Sequence, residues 1–192
     1  MPKVEVPLYL QPHIDFCVPT CIKMVLDSLR LAHGEKIPRL SIRTIRKTVR
    51  TQEGRGTTFD DIDRINQRLL PSIPSVKFCP EFPCEWSTVG KENREGRPII
   101  AWLWIPDDRD PQRIRGCGHS VVITDLDESL GEVFYNDPLK GECKEDTGSF
   151  ISKWEHEAVN RTLIRVEVGE RKQREISEFA VGYEDEEENE PE

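Results

Sequence analysis

A thiol becomes a useful nucleophile when it is held as the thiolate, and Cys17 stands where that could be arranged. It immediately precedes Val18-Pro19, the start of an apolar spacing of three and four residues, and a helix beginning there would place partial positive charge beside the sulfur. Such a nucleophile also needs a base, a group that orients the base, and donors for the oxyanion that develops on an attacked carbonyl. Gln11 lies six residues upstream, in a segment that can loop back so that its amide NH2 and the backbone N–H of Cys17 point at one spot. His119 follows Gly116-Cys117-Gly118 and opens an apolar strand, and Asp137 ends the next strand in Tyr135-Asn136-Asp137-Pro138. A hairpin joining the two strands would bring carboxylate and imidazole together.

Plainer readings stand beside each residue. Gln11 could be an ordinary loop residue, Asp137-Pro138 a turn opening, and His119 a satisfied polar residue at a strand start. Cys21, one turn inside the helix on its apolar face, reads as a small core residue. His13 is a rival base by proximity, although so short a loop would hold its ring beside Cys17 with difficulty. Cys79 and Cys84, with Cys117 and Cys143, offer four thiolates to a zinc ion. The two prolines in their gap and the lack of a second close pair argue against it, and the expectation is no metal and no cofactor.

The elements that must position these residues follow from periodicity. The helix from Val18 carries Val18, Cys21, Ile22, Val25, Leu26 and Leu29 on one face and should stop near Gly34. A second helix fits Ser41 to Thr51, capped by Ser41, with Ile42, Ile45 and Val49 inward and Arg43, Arg46, Lys47 and Arg50 in water. A third follows the Gly54-Arg55-Gly56 turn, with Thr57 or Thr58 as cap, Asp60 and Asp61 in the first turn, and Pro71 as its end. Strand-like runs come next, at Ser75 to Phe78, Pro98 to Ile105, Ser120 to Thr124, Gly131 to Tyr135 and Arg161 to Val168, with a short helix from Ser149 before the last. Helices first and an antiparallel sheet second make an α+β arrangement.

Composition bounds the rest. The 192 residues with 36% hydrophobic content suit one domain, expected over residues 1–169. The net charge of −9 gives no basic footprint for nucleic acid. Seven of the 36 acids fall in Glu184 to Glu192, leaving 29 acids against 27 bases elsewhere. Residues 170–192 are therefore expected to be an acidic, disordered tail, for which a basic partner is the interaction that charge suggests. No apolar run is long enough to span a bilayer and the first residues lack the pattern of a secretory signal, so the expected location is cytoplasmic, where six cysteines stay reduced.

Gln11-Pro-His-Ile-Asp-Phe-Cys17-Val-Pro-Thr-Cys21-Ile-Lys-Met24 resembles the nucleophile helix of papain-like cysteine peptidases, in particular the double-glycine leader peptidases of bacteriocin export. Gly96 to Trp104, Gly118-His119-Ser-Val-Val-Ile, Asn136-Asp137-Pro138 and Phe150 to Trp154 resemble that family's later blocks in the same order. The resemblance implies a papain-like α+β fold and a thiol-dependent peptidase acting on a peptide or isopeptide bond. In it Gln11 is oxyanion donor, Cys17 nucleophile, His119 general base and then acid, and Asp137 orienter. Val18 departs from the family's glycine and adds a branched side chain where substrate backbone would pass. That departure supports the alternative expectation, a catalytically weak papain-like binding module using the cleft near Trp102 and Trp104.

Overall fold

The computed structural model describes residues 5–34, 37, 39–68, 76–106 and 116–169. Its elements run α1 (Cys17–His33), α2 (Ile42–Thr48), α3 (Phe59–Arg68), β1 (Val76–Glu81), α4 (Trp86–Arg94), β2 (Ile99–Pro106), β3 (Gly116–Asp127), β4 (Glu132–Asp137), β5 (Gly141–Asp146), α5 (Thr147–Trp154) and β6 (Leu163–Val168). The six strands form one sheet in the order β1-β6-β2-β3-β4-β5, and every pairing is antiparallel.

Two apolar clusters cover opposite faces of this sheet. One packs Ile22, Val25, Leu26 and Leu29 of α1 with Ile45 of α2 and Ile62 and Ile65 of α3 onto Phe78, Ile100, Val122 and Ile164. The other packs Val89 of α4 and Phe150 and Trp154 of α5 onto Ile99, Ala101, Leu103, Val121, Val133, Tyr135 and Leu163. Alternation along β2 decides the division, because Ile100 goes to one face while Ile99, Ala101 and Leu103 go to the other. Helices therefore flank the sheet on both sides.

Local chemistry explains most boundaries. Gly34 ends α1 at φ 79°, a conformation that costs glycine little. The Ser41 hydroxyl accepts from the Thr44 N–H and caps α2, as its type suggests. Asp61 in the first turn of α3 accepts from the Thr58 hydroxyl. Arg46 departs from the expectation of a fully wet basic stripe: its guanidinium lies 4.5 Å from the Phe16 ring and pairs with Glu53 at 3.3 Å. Helix α4 and strand β5 are not among the elements that periodicity predicts. Gly90 and the charged residues Lys91, Glu92 and Arg94 blunt the periodicity of α4, and Gly-Glu-Cys-Lys-Glu-Asp of β5 is an edge strand with little apolar content. Pro71 and the acidic tail lie outside the described residues. No described helix is long and apolar enough to cross a membrane.

Candidate active site

Cys17 is the first residue of α1, one step earlier than the apolar spacing indicates. Phe16 at the N-cap offers no side-chain hydrogen bond and the first turn contains no acid, so the positive end of the helix faces the sulfur without a competing carboxylate on its own turn. As a first-turn residue Cys17 also has a backbone N–H with no carbonyl one turn back to receive it. The acid closest in sequence, Asp15, is turned aside: its Oδ2 accepts from the Gly54 N–H at 2.8 Å and lies 3.4 Å from His13 Nδ1.

His119 and Asp137 come together through the β3–β4 ladder. Val122 is opposite Asn136, which puts His119 on a diagonal from Asp137 and on the same face. His119 Nε2 lies 2.7 Å from Asp137 Oδ1. The same oxygen accepts from the backbone N–H groups of Leu139 at 2.7 Å and Lys140 at 3.2 Å, so the turn after β4 locks the carboxylate. With Nε2 committed there, Nδ1 is the ring nitrogen left to face the Cys17 thiol, to which His119 is electrostatically coupled. All three side chains are buried or nearly so.

The electrostatics of the three groups are mutually consistent. Burial alone would raise the Cys17 pKa, but the imidazole and the backbone N–H groups of Ser120 and Val18 outweigh it and bring the thiol below its ordinary value. Burial opposes a charge on His119, yet Asp137 and the Cys17 sulfur raise its pKa to about 9. Asp137 is held below the usual carboxylate range because its burial is offset by His119 and the two turn N–H groups. Both shifts act in the direction of a thiolate–imidazolium pair. Cys21 contrasts with it: wholly buried, bonded through Sγ to the Ser120 carbonyl at 3.2 Å, and raised well above a normal thiol by burial and by Cys17 and Asp137.

The structure joins Gln11 to this neighbourhood by its backbone, whose N–H donates to the Pro138 carbonyl at 2.7 Å. Its side chain is used differently from the sequence expectation. Both amide hydrogens are taken up by the carbonyls of His13 at 2.8 Å and Ile14 at 2.7 Å, while Oε1 is buried without a partner among the described residues. In this state Gln11 braces the loop ahead of Cys17. His13 packs against Phe16, with ring centroids 5.1 Å apart, and its Nδ1 lies at Asp15, so this imidazole is engaged away from the sulfur.

A cleft of about 370 Å³ opens over Cys17 and His119. Ile14, Val18, Trp102, Ile105, Leu139, Ala158 and Val159 give it apolar walls, and Asp15, Arg55 and Lys140 supply charge. Val18 is only 2% exposed, packing in the α1 cluster while it also lines the cleft. Trp104 stacks on His156 with centroids 4.5 Å apart and planes at 5°. Sequence reasoning treated Gly54-Arg55-Gly56 only as a turn and missed its place at the cleft. The signal was the Asp15 carboxylate, which needed a partner and finds the turn's N–H. The four cysteines weighed as zinc ligands are dispersed: Cys79 is on β1 and Cys143 on β5, the two opposite edges of the sheet. Among the described residues no group of three or more potential ligands could hold a metal ion.

Residues 3–158 match the model of the Peptidase_C39 like family. The chain belongs to this family. Solved structures agree on the fold. The peptidase domain of Streptococcus ComA, a bifunctional ABC transporter involved in quorum sensing, is 18% identical with a TM-score of 0.58, over 86% of this chain and 100% of that one. A protein described as a C39-like peptidase from Bacillus anthracis is 16% identical with a TM-score of 0.59, covering 89% and 99%. A double-glycine motif protease from an AMS/PCAT transporter, solved with its leader peptide, is 15% identical with a TM-score of 0.57, covering 87% and 94%. No curated protein matches the chain. The expected papain-like α+β fold is thus the observed one, and family and fold are those of cysteine peptidases.

Proposed function

We propose that the protein is a thiol-dependent hydrolase of peptide or isopeptide bonds, with Cys17 as nucleophile, His119 as general base and acid, and Asp137 as orienter. The His119 Nε2–Asp137 Oδ1 contact of 2.7 Å, with the imidazole coupled to a Cys17 that opens helix α1, carries this reading. The thiolate adds to the substrate carbonyl and the backbone N–H of Cys17 receives the oxyanion. His119 gives its proton to the leaving amine, then takes one from the water that attacks the thioester, returning free Cys17. Asp137 holds the ring and balances the imidazolium. Gln11 joins the oxyanion site when its amide releases one of its two loop carbonyls.

The peptide bound to the AMS/PCAT relative is consistent with a peptide substrate here. A reducing, cytoplasmic setting fits six free cysteines. The unit responsible is residues 1–169, with the acidic segment 170–192 outside it and open to a basic partner. No cofactor enters the scheme.

The binding-module reading draws on one observation, the engagement of both Gln11 amide hydrogens. Incubation of the protein with a diverse peptide mixture, read by mass spectrometry of new termini, separates the two. The hydrolase reading expects new termini that vanish with Cys17→Ala. Peptides retained intact by wild type and by Cys17→Ala alike would favour the module.

A further inference from the structure

The cleft carries two cations whose backbones are anchored to the groups flanking the sulfur. Arg55 is exposed in the turn closed by the Gln52–Gly56 bridge. That turn is tied through the Gly54 N–H to Asp15, two residues before Cys17. Lys140 is exposed in the turn whose N–H groups hold Asp137. Both residues line the cleft. Among the described residues neither has a carboxylate at salt-bridge distance, whereas the acids nearby are committed. Asp15 serves Gly54 and His13, Glu53 pairs with Arg46, and Asp137 serves His119 and two backbone N–H groups. When Cys17, His119 and Asp137 are all ionised their charges sum to minus one, so the triad offers an incoming anion no surplus of positive charge.

We infer that the cleft selects a peptide with an acidic side chain, Asp or Glu, beside the bond presented to Cys17, received by Arg55 and Lys140. The inference rests on the peptidase reading of Cys17 and names the substrate class of that same site. The cations come from two separate turns on fixed backbones, so a carboxylate entering between them gains attraction without disturbing an existing ion pair. Trp102, Leu139 and Val159 take the apolar parts of neighbouring residues. Lysine or arginine at the selected position would meet like charge.

Paired electrophiles test this without knowledge of the natural substrate. Peptidyl acyloxymethyl ketones that differ only in Asp against Asn, or Glu against Gln, beside the reactive ketone are added to the full chain, and the rate of modification at Cys17 is followed by site-resolved mass spectrometry. Exposed ion pairs each contribute up to about fivefold, so the acidic probe of wild type should react roughly fivefold faster or more at low salt. That advantage should shrink as salt is added. Arg55→Gln and Lys140→Gln should each reduce the ratio and the double variant should bring it near one, while Arg43→Gln on α2 leaves it unchanged. Because both rates come from the same variant, a partly unfolded sample does not alter the ratio. Equal rates for acid and amide in wild type, or a preference that survives the double substitution, overturn the inference alone. If Cys17 reacts with neither peptide and no faster than the other five cysteines with iodoacetamide, the peptidase reading falls and takes this inference with it.

Discussion

Each of the three central side chains has its state set by its two neighbours. His119→Ala removes both the proposed base and the counter-charge, so turnover should fall by about 10²–10⁴ and the Cys17 thiol should return toward a buried thiol's raised pKa. Asp137→Asn keeps an acceptor for the ring and should cost less, a difference that kcat measured on one substrate resolves. The pH profile follows from the shifts. Activity should rise on the acid side below the ordinary thiol value, as Cys17 ionises, and fall near pH 9 as His119 loses its proton. Stability has the opposite dependence on the two partners. The raised His119 pKa contributes fully below about 6.5 and is lost as pH climbs toward about 9, whereas the lowered Asp137 pKa contributes above the normal carboxylate value and is lost in acid. Cys21→Ala should leave the chemistry intact and cost about 1 kcal/mol by denaturant titration, since it removes a buried sulfur and its bond to Ser120. Residue types made Cys17, His119 and Asp137 legible in the sequence. The occupation of the Gln11 amide was not, because it depends on where the His13 and Ile14 carbonyls fall in an irregular loop.

The elements hold the site by a few clamps whose strength can be measured. Helix α1 supplies Cys17 and strands β3 and β4 supply the other two residues, so the loop before α1 must be fixed relative to the turn after β4. Two contacts do this, as Asn136 donates to the Val6 carbonyl at 3.0 Å and the Gln11 N–H donates to Pro138, while the Tyr9 hydroxyl ties the same segment to α1 through Asp27 at 2.8 Å. At the other rim Gly116 lets β3 pass beneath Trp104. A Cβ there would lie 2.5 Å from the indole and 2.6 Å from the Ile105 carbonyl, so Gly116→Ala should lower stability by about 1–3 kcal/mol in a thermal or urea melt. Helices α1 and α2 and the β3–β4 hairpin could be read from apolar spacing and capping, because their buried faces are regular. Helix α4 and strand β5 could not, since charged and backbone pairings rather than a regular apolar face hold them. Buried Glu92 of α4 is held by Arg97 at 2.6 Å and 3.0 Å, and β5 is registered along the whole of β4.

For the whole molecule, one antiparallel sheet with a helical layer on each face leaves the cleft where the α1 N-terminus meets the ends of β2, β3 and β4. The last described strand, β6, lies between β1 and β2, so the chain must reach Val168 before the sheet closes. A chain truncated after Gly169 should therefore keep its melting temperature and its Cys17 reactivity, whereas one truncated before Leu163 should not fold. The central claim concerns a single sulfur, and its alkylation by iodoacetamide, resolved for each of the six cysteines across pH, tests it most directly. Wild type should show Cys17 reacting fastest at neutral pH despite its burial, ahead of exposed Cys117, with an apparent pKa below the ordinary thiol value that His119→Ala abolishes. Cys17 titrating at or above a normal thiol, unaltered by loss of His119, would contradict the account.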